Sequence, residues 1–269
     1  MRQLLLALLL LVPLAAAAQE SESSTGPLFM KHLVDEGDFF APWGIGLDFF
    51  TMDQDYDIKN MVLDVPLLGG EIEIDPTQVQ VTNKLQHYDL KLDAWITPFL
   101  NVFGLLGRVD ADTVVDLGSV AVPGLGTLPA FPVTYDGTVY GLGANLIYGT
   151  DRWFAALNST WTKSNLSGDF DSSVKSFTIQ PRVGLIRNGW TMWVGGMWLD
   201  TKEKHKGMFE LQIPGIPPIP VDFDVELETM NKWNYAVGAG YIFSPKATIS
   251  FEYGFGDRTH TLFNFTYRF

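Results

Sequence analysis

His87, Asp89, Lys91 and Asp93 alternate along one stretch of the chain, and Arg108, Asp110 and Asp112 along the next. In an extended strand side chains repeat every two residues, so each set shares one face. A tight turn near Pro98 would bring the two stretches together, with Asp89 opposite Arg108 and His87 opposite Asp110. Asp48, Arg182 and Glu252 are expected on the same interior side. Charges in a small interior must be paired or hydrated, so one expectation is a salt-bridge network. Carboxylates outnumber bases here, so the other is a constriction that prefers cations.

Asp53, Asp55 and Asp57 have the spacing that opens an EF-hand loop. Ile58 stands where that loop needs Gly, and Asp64 where it needs Glu. A solvated acidic rim is expected, with calcium at the lipopolysaccharide level as the alternative. No metal site and no cofactor are assigned. With no Cys among 269 residues, disulfides and thiolate metal sites are excluded. A net charge of −13 repels phosphates, so no nucleic-acid partner is expected. At 46% hydrophobic and 13% aromatic residues, the chain is too apolar for disorder.

The elements that carry these side chains are strands. Near the C-terminus, Phe263, Phe265, Tyr267 and Phe269 fall on one parity, and Leu262, Asn264, Thr266 and Arg268 on the other. Similar alternation runs through Tyr88 to Ile96, Phe177 to Leu185, Trp233 to Phe243 and Ile249 to Phe255. One face suits lipid and the other a polar lumen. The terminal aromatic strand ending in Phe resembles that of bacterial outer-membrane β-barrels. The resemblance implies an all-β, antiparallel up-and-down transmembrane barrel in the outer membrane of a Gram-negative cell. It also implies that Phe263, Phe265, Tyr267 and Phe269 are read by the barrel-assembly machinery, and that lipid and lipopolysaccharide surround the protein. The oligomeric state is left open.

A strand–turn–strand unit recurs at about 84–110, 137–163, 174–203 and 230–256. Adding a first strand from Trp43 and the last from His260 gives ten strands, with twelve as the alternative. Trp43, Trp95, Tyr148, Trp153, Trp190, Tyr241 and Phe243 fall at strand ends on the short-turn side, where an aromatic girdle is expected. Residues 1–18, one Arg, an apolar run and four alanines, read as a signal peptide. Residues 19–40 read as a periplasmic tail or a plug segment, and 41–269 as the barrel.

Three long connections have apolar tips rich in Pro and Gly: Val65 to Gly70, Val122 to Pro129 and Ile213 to Pro220. These suit a packed cap, a mouth that gathers hydrophobic solutes, or an adhesive surface. For the third, a single register without a bulge pairs Phe209 with Val225 and Trp193 with Tyr241. Each arm would then be about 79 Å long at about 3.3 Å per residue, and would project beyond the membrane. The first hairpin changes parity near Asp75 and Pro76, which suggests a bulge there.

Asp110 and Asp112 resemble the aspartate pair of omptin proteases, which are ten-stranded barrels. That family also needs an Asp two residues before a His. The residues in that position here are Met30, Leu85, Glu203 and Arg258, so the resemblance stops at the aspartates. The His, Ser and Asn arrangement of outer-membrane phospholipases has no counterpart in the spacing either. The expected function is therefore a small channel or solute-transport protein for hydrophobic or cationic solutes, and not an enzyme. The alternatives are a closed-lumen, adhesin-like interaction barrel and a membrane-embedded hydrolase.

Overall fold

The structure is a computed structural model that describes residues 25–35, 39–65, 70–117, 121–122, 126–127, 130–167, 170–211 and 217–269. The expected signal peptide and most residues of the three apolar tips lie outside this set. The strands are β1 (Trp43–Val65), β2 (Gly70–Glu73), β3 (Gln80–Thr97), β4 (Leu100–Asp116), β5 (Ala121–Val122), β6 (Gly126–Thr127) and β7 (Phe131–Gly149). They continue with β8 (Trp153–Ser167), β9 (Phe170–Arg187), β10 (Trp190–Leu211), β11 (Ile219–Thr229), β12 (Trp233–Ser244), β13 (Ala247–Phe255) and β14 (Thr259–Arg268).

Neighbouring strands pair antiparallel, and β1 closes the ring by pairing with both β3 and β14. Short turns join the strands at the base. The β9–β10 turn places Asn188 and Gly189 at φ 50 and 80, the left-handed pair that suits the twist of a two-residue hairpin.

The barrel has two cross-sections. At the base the ring is β1, β3, β4, β7, β8, β9, β10, β12, β13 and β14, ten strands. The β13–β14 hairpin is short, 9 and 10 residues. Above it β1 changes partner, pairing with β14 from Gly44 to Asp53 and with β11 from Tyr56 to Asp64. The upper ring is therefore β1, β3, β4, β7, β8, β9, β10 and β11, eight strands.

The outward face at the base is a band of exposed apolar side chains: Leu142 is 67% exposed, Met192 60% and Val194 58%. A continuous apolar band of this kind suits hydrocarbon, not water. Exposed rings fringe both edges, with Trp43, Tyr148, Trp153, Trp190 and Phe243 below and Tyr88, Tyr140, Trp161, Trp233 and Tyr235 above. Exposed charges, among them Asp53, Lys84, Asp112, Lys175 and Lys202, begin just beyond the upper fringe.

An eight-stranded barrel is just wide enough for its own side chains to fill. The upper section is filled in that way by Tyr56, Ile58, Met61, Leu63, Ile74, Val81, Leu117, Ile219, Val221 and Leu227.

The long hairpin does not keep one register. Phe209 pairs with Val221, not Val225, and Trp190, not Trp193, pairs with Tyr241. The return strand breaks between β11 and β12, and the break changes its parity: Leu227 and Thr229 face inward above it, Asn234 and Ala236 below it. In β1, the first arm of the first hairpin, the register against β11 shifts between Ile58 and Asn60. Near the expected bulge at Asp75 and Pro76 the chain instead makes a 3-10 turn, Pro76–Gln78.

Candidate functional site

Two extra strands widen the base beyond what side chains fill, and a cavity of about 280 Å³ results. One wall is apolar: Phe50 and Met52 from β1, Leu85 from β3, Leu105 and Val109 from β4, Met197 and Leu199 from β10. The facing wall, from β8 and β9, carries short polar groups: Asn158, Thr160, Thr162, Ser176, Thr178 and Gln180. β-branched Thr suits a strand, and here its hydroxyl is what the strand presents inward.

Charged groups gather around and below this space. The Lys91 ammonium donates to Asp48 at 3.0 and 3.3 Å, and Asn264 donates to the same carboxylate. Arg182 grips Glu252 through two hydrogen bonds, 2.6 and 3.0 Å, and the Trp193 indole donates to Glu252 at 2.7 Å. Gly238 leaves the space that the Trp193 ring occupies. Arg268 pairs with Asp93 at 2.8 Å, and Asn101 donates to Asp93 at 2.6 Å. An amide ladder continues from Asn101 through Asn145 to Asn158. Asp89 is 9% exposed and one of its oxygens has no hydrogen-bond partner among the described residues. Its nearest basic group is the His87 ring, at 3.8 Å.

Thus Asp48, His87, Asp89, Lys91, Asp93, Arg182 and Glu252 all point into the barrel. Arg108 and Asp110 do not, and this corrects the expected pairing. The register shifts between Trp95 and Thr97, so Arg108 faces Tyr88 and Asp110 faces Gln86. One residue of slip moves a strand's entire side-chain set to the other face. Arg108 lies outside, 65% exposed, bridging Asp110 and Asp136 at the charged rim above the aromatic fringe. Asp112 is also outward, accepting from Thr134.

Trp95 is a second correction. It sits at the level of the lower fringe but on the inward parity of β3, and it is 5% exposed. Phe40 stacks on it at 6.0 Å and Phe39 meets it edge-on at 5.1 Å. The Arg268 guanidinium lies over both Phe40 and Trp95. The N-terminal segment is held there by backbone bonds from Leu28 to Trp95 and from Phe29 to Ile96, each 2.9 Å. It forms a floor across the base. Trp43, Tyr148, Trp153, Trp190, Tyr241 and Phe243 lie on the outward parity, with Tyr148–Trp153 and Trp190–Tyr241 in edge contact. Phe263, Phe265 and Tyr267 also face outward.

Above the cavity runs a buried polar chain that the sequence spacing did not reveal. Ser172 Oγ lies 2.7 Å from His205 Nδ1, and His205 Nε2 lies 2.9 Å from Glu203. The Tyr56 hydroxyl donates to the other Glu203 oxygen. Burial, then the Glu203 charge, pushes the Tyr56 phenol well above its ordinary 10.0. Hydroxyl, imidazole and carboxylate in this order can relay a proton. β9 and β10 bring Ser172 and His205 into register, a pairing fixed only by the sheet. Ser172 shares the parity of Ser176, Thr178 and Gln180, the polar face of its strand, and that was the one sequence signal; the single register expected for the long hairpin put Glu203 and His205 on the parity of Trp193, opposite Tyr241.

No family model matches the chain, and no curated protein does. Solved structures do. The β domain of the Bordetella autotransporter Brka is 12% identical, with 85% of this chain and 100% of that one covered and a TM-score of 0.42. The outer membrane protease OmpT from Escherichia coli is 11% identical over 86% and 98%, with a TM-score of 0.40. An outer membrane channel from Pseudomonas putida is 16% identical over 88% and 100%, with a TM-score of 0.35. The chain is similar to bacterial outer-membrane β-barrels as a class.

Proposed function

We propose that this chain is an outer-membrane barrel that takes small solutes into a cavity within the barrel and is not a standing water-filled pore. The observation that carries the reading is the cavity of about 280 Å³ in the ten-stranded base. It lies between the packed eight-stranded section and the floor of Phe39, Phe40 and Trp95. In this reading the apolar band meets lipid, the base faces the periplasm, and the eight-stranded section projects outward. Solute enters and leaves the cavity when the N-terminal floor is displaced. Planar-bilayer recording tests this: the full chain should show no steady conductance. A stable ohmic current that solutes merely block would sink it.

A second reading rests on the Ser172, His205 and Glu203 chain, which supports an ester hydrolase. Fluorophosphonate labelling of the full chain decides it. Label on Ser172, lost in Ser172→Ala, would establish the hydrolase, and absence of label would remove it.

A further inference from the structure

Resting on the cavity reading, we propose that the solute is a small organic cation, an ammonium head on an apolar body, with Asp89 as its counter-ion. The first argument is charge balance. Of the five carboxylates around and below the cavity, three have their own Lys or Arg: Asp48 has Lys91, Asp93 has Arg268 and Glu252 has Arg182. Glu203 is held instead by the His205 ring at 2.9 Å and by the Tyr56 hydroxyl. Asp89 has no Lys or Arg within ion-pair distance among the described residues, and it lines the cavity. A buried carboxylate without a partner is costly, and a cationic ligand would remove that cost where a neutral one would not.

The second argument is the kind of cation. No three His, Cys, Asp or Glu side chains among the described residues converge as metal ligands. The wall built by Phe50, Met52, Leu105, Val109 and Met197 has nothing to offer a hydrated ion, but it would bury the body of an organic one. The third argument is size. A cavity of about 150 Å³ holds benzene, so about 280 Å³ admits roughly ten to fourteen non-hydrogen atoms.

The test uses the purified full chain, with benzyltrimethylammonium and its uncharged carbon isostere, 2,2-dimethylpropylbenzene, as probes in calorimetric titrations. Wild type should bind the cation at least tenfold more tightly than the isostere. Asp89→Asn should lose that preference and keep the isostere. Lys91→Gln, which frees Asp48 as a second carboxylate, should bind the cation several-fold more tightly, and it decides the matter if Asp89→Asn fails to fold. Equal binding of the two probes by wild type, or a preference unchanged in Asp89→Asn, would overturn the cation assignment and leave the cavity reading standing. If neither probe binds and Val174→Phe, which fills the space, changes nothing, the cavity reading itself falls.

Discussion

The Arg258 guanidinium donates to the Met197 carbonyl at 3.0 Å, across the point where ten strands become eight. It also donates to the carbonyls of Asn231 at 2.7 Å and Lys232 at 3.1 Å. These two residues lie in the break between β11 and β12, where the Lys232 carbonyl also accepts from the Leu199 amide at 2.8 Å. A buried polar group left unpaired is expensive, so one guanidinium makes the change of strand number tolerable. Arg suits this role because its five donors are spread over a planar fork and reach three separated carbonyls, where the three donors of Lys leave one nitrogen.

Arg258→Met should therefore lower stability by about 3 kcal/mol: the three hydrogen bonds to a charged group are worth about 1.5–3 kcal/mol each, offset in part by the cost of burying the guanidinium. Arg258→Lys should recover only part of this. Urea unfolding in lipid vesicles, followed by Trp fluorescence, measures both. Wild-type stability in Arg258→Met would show that the fork does not need its guanidinium.

The register of β3 against β4 predicts which side chains the outside can reach. The chain has no Cys, so single cysteines can be read without background. Arg108→Cys and Asp110→Cys in intact cells should react with a membrane-impermeant maleimide, while Asp89→Cys and Asp93→Cys should stay unlabelled until the protein is unfolded. Labelling in the reverse order would restore the register in which Asp89 faces Arg108.

The floor of the base should depend on Trp95, on which Phe39 and Phe40 pack. Trp95→Ala should release the N-terminal segment without unfolding the strands. Added protease should then cut between residues 25 and 40 while the barrel keeps its heat-modifiable gel migration. An uncut segment would mean that its backbone bonds to Trp95 and Ile96 suffice to hold it.

Tyr56 predicts an alkaline effect in the upper section. Its folded value lies well above the ordinary 10.0, chiefly through burial and then through the Glu203 charge. Above about pH 10 the unfolded phenol loses its proton while the folded one keeps it, so the unfolded state binds fewer protons and stability falls as pH rises. Urea midpoints from pH 9 to 11.5 should drop in wild type and drop less in Tyr56→Phe. Parallel curves would remove Tyr56 as the source.

The sequence by itself determined the barrel. Alternation in Phe263, Phe265 and Tyr267, or in Tyr88 to Ile96, is a local property of an extended chain, and it already separates an apolar from a polar face. The turns and the repeat of hairpins also gave ten strands at the base, because tight turns have their own residue signatures. Parity further marked His87, Asp89, Lys91 and Asp93 as one set.

What parity could not do was count across a turn. A single shift between Trp95 and Thr97 sent Arg108 and Asp110 outside, because the face of one strand relative to the next depends on pairing geometry. Height along the strand likewise did not reveal which way Trp95 points, since its place beneath Phe39 and Phe40 is a long-range contact. The Ser172–His205–Glu203 chain comes from the register of β9 on β10, whereas the narrowing to eight strands, the cavity beneath it and the uncompensated Asp89 are products of ring closure. They join residues far apart in sequence, through contacts that exist only once β1 has met both β14 and β11.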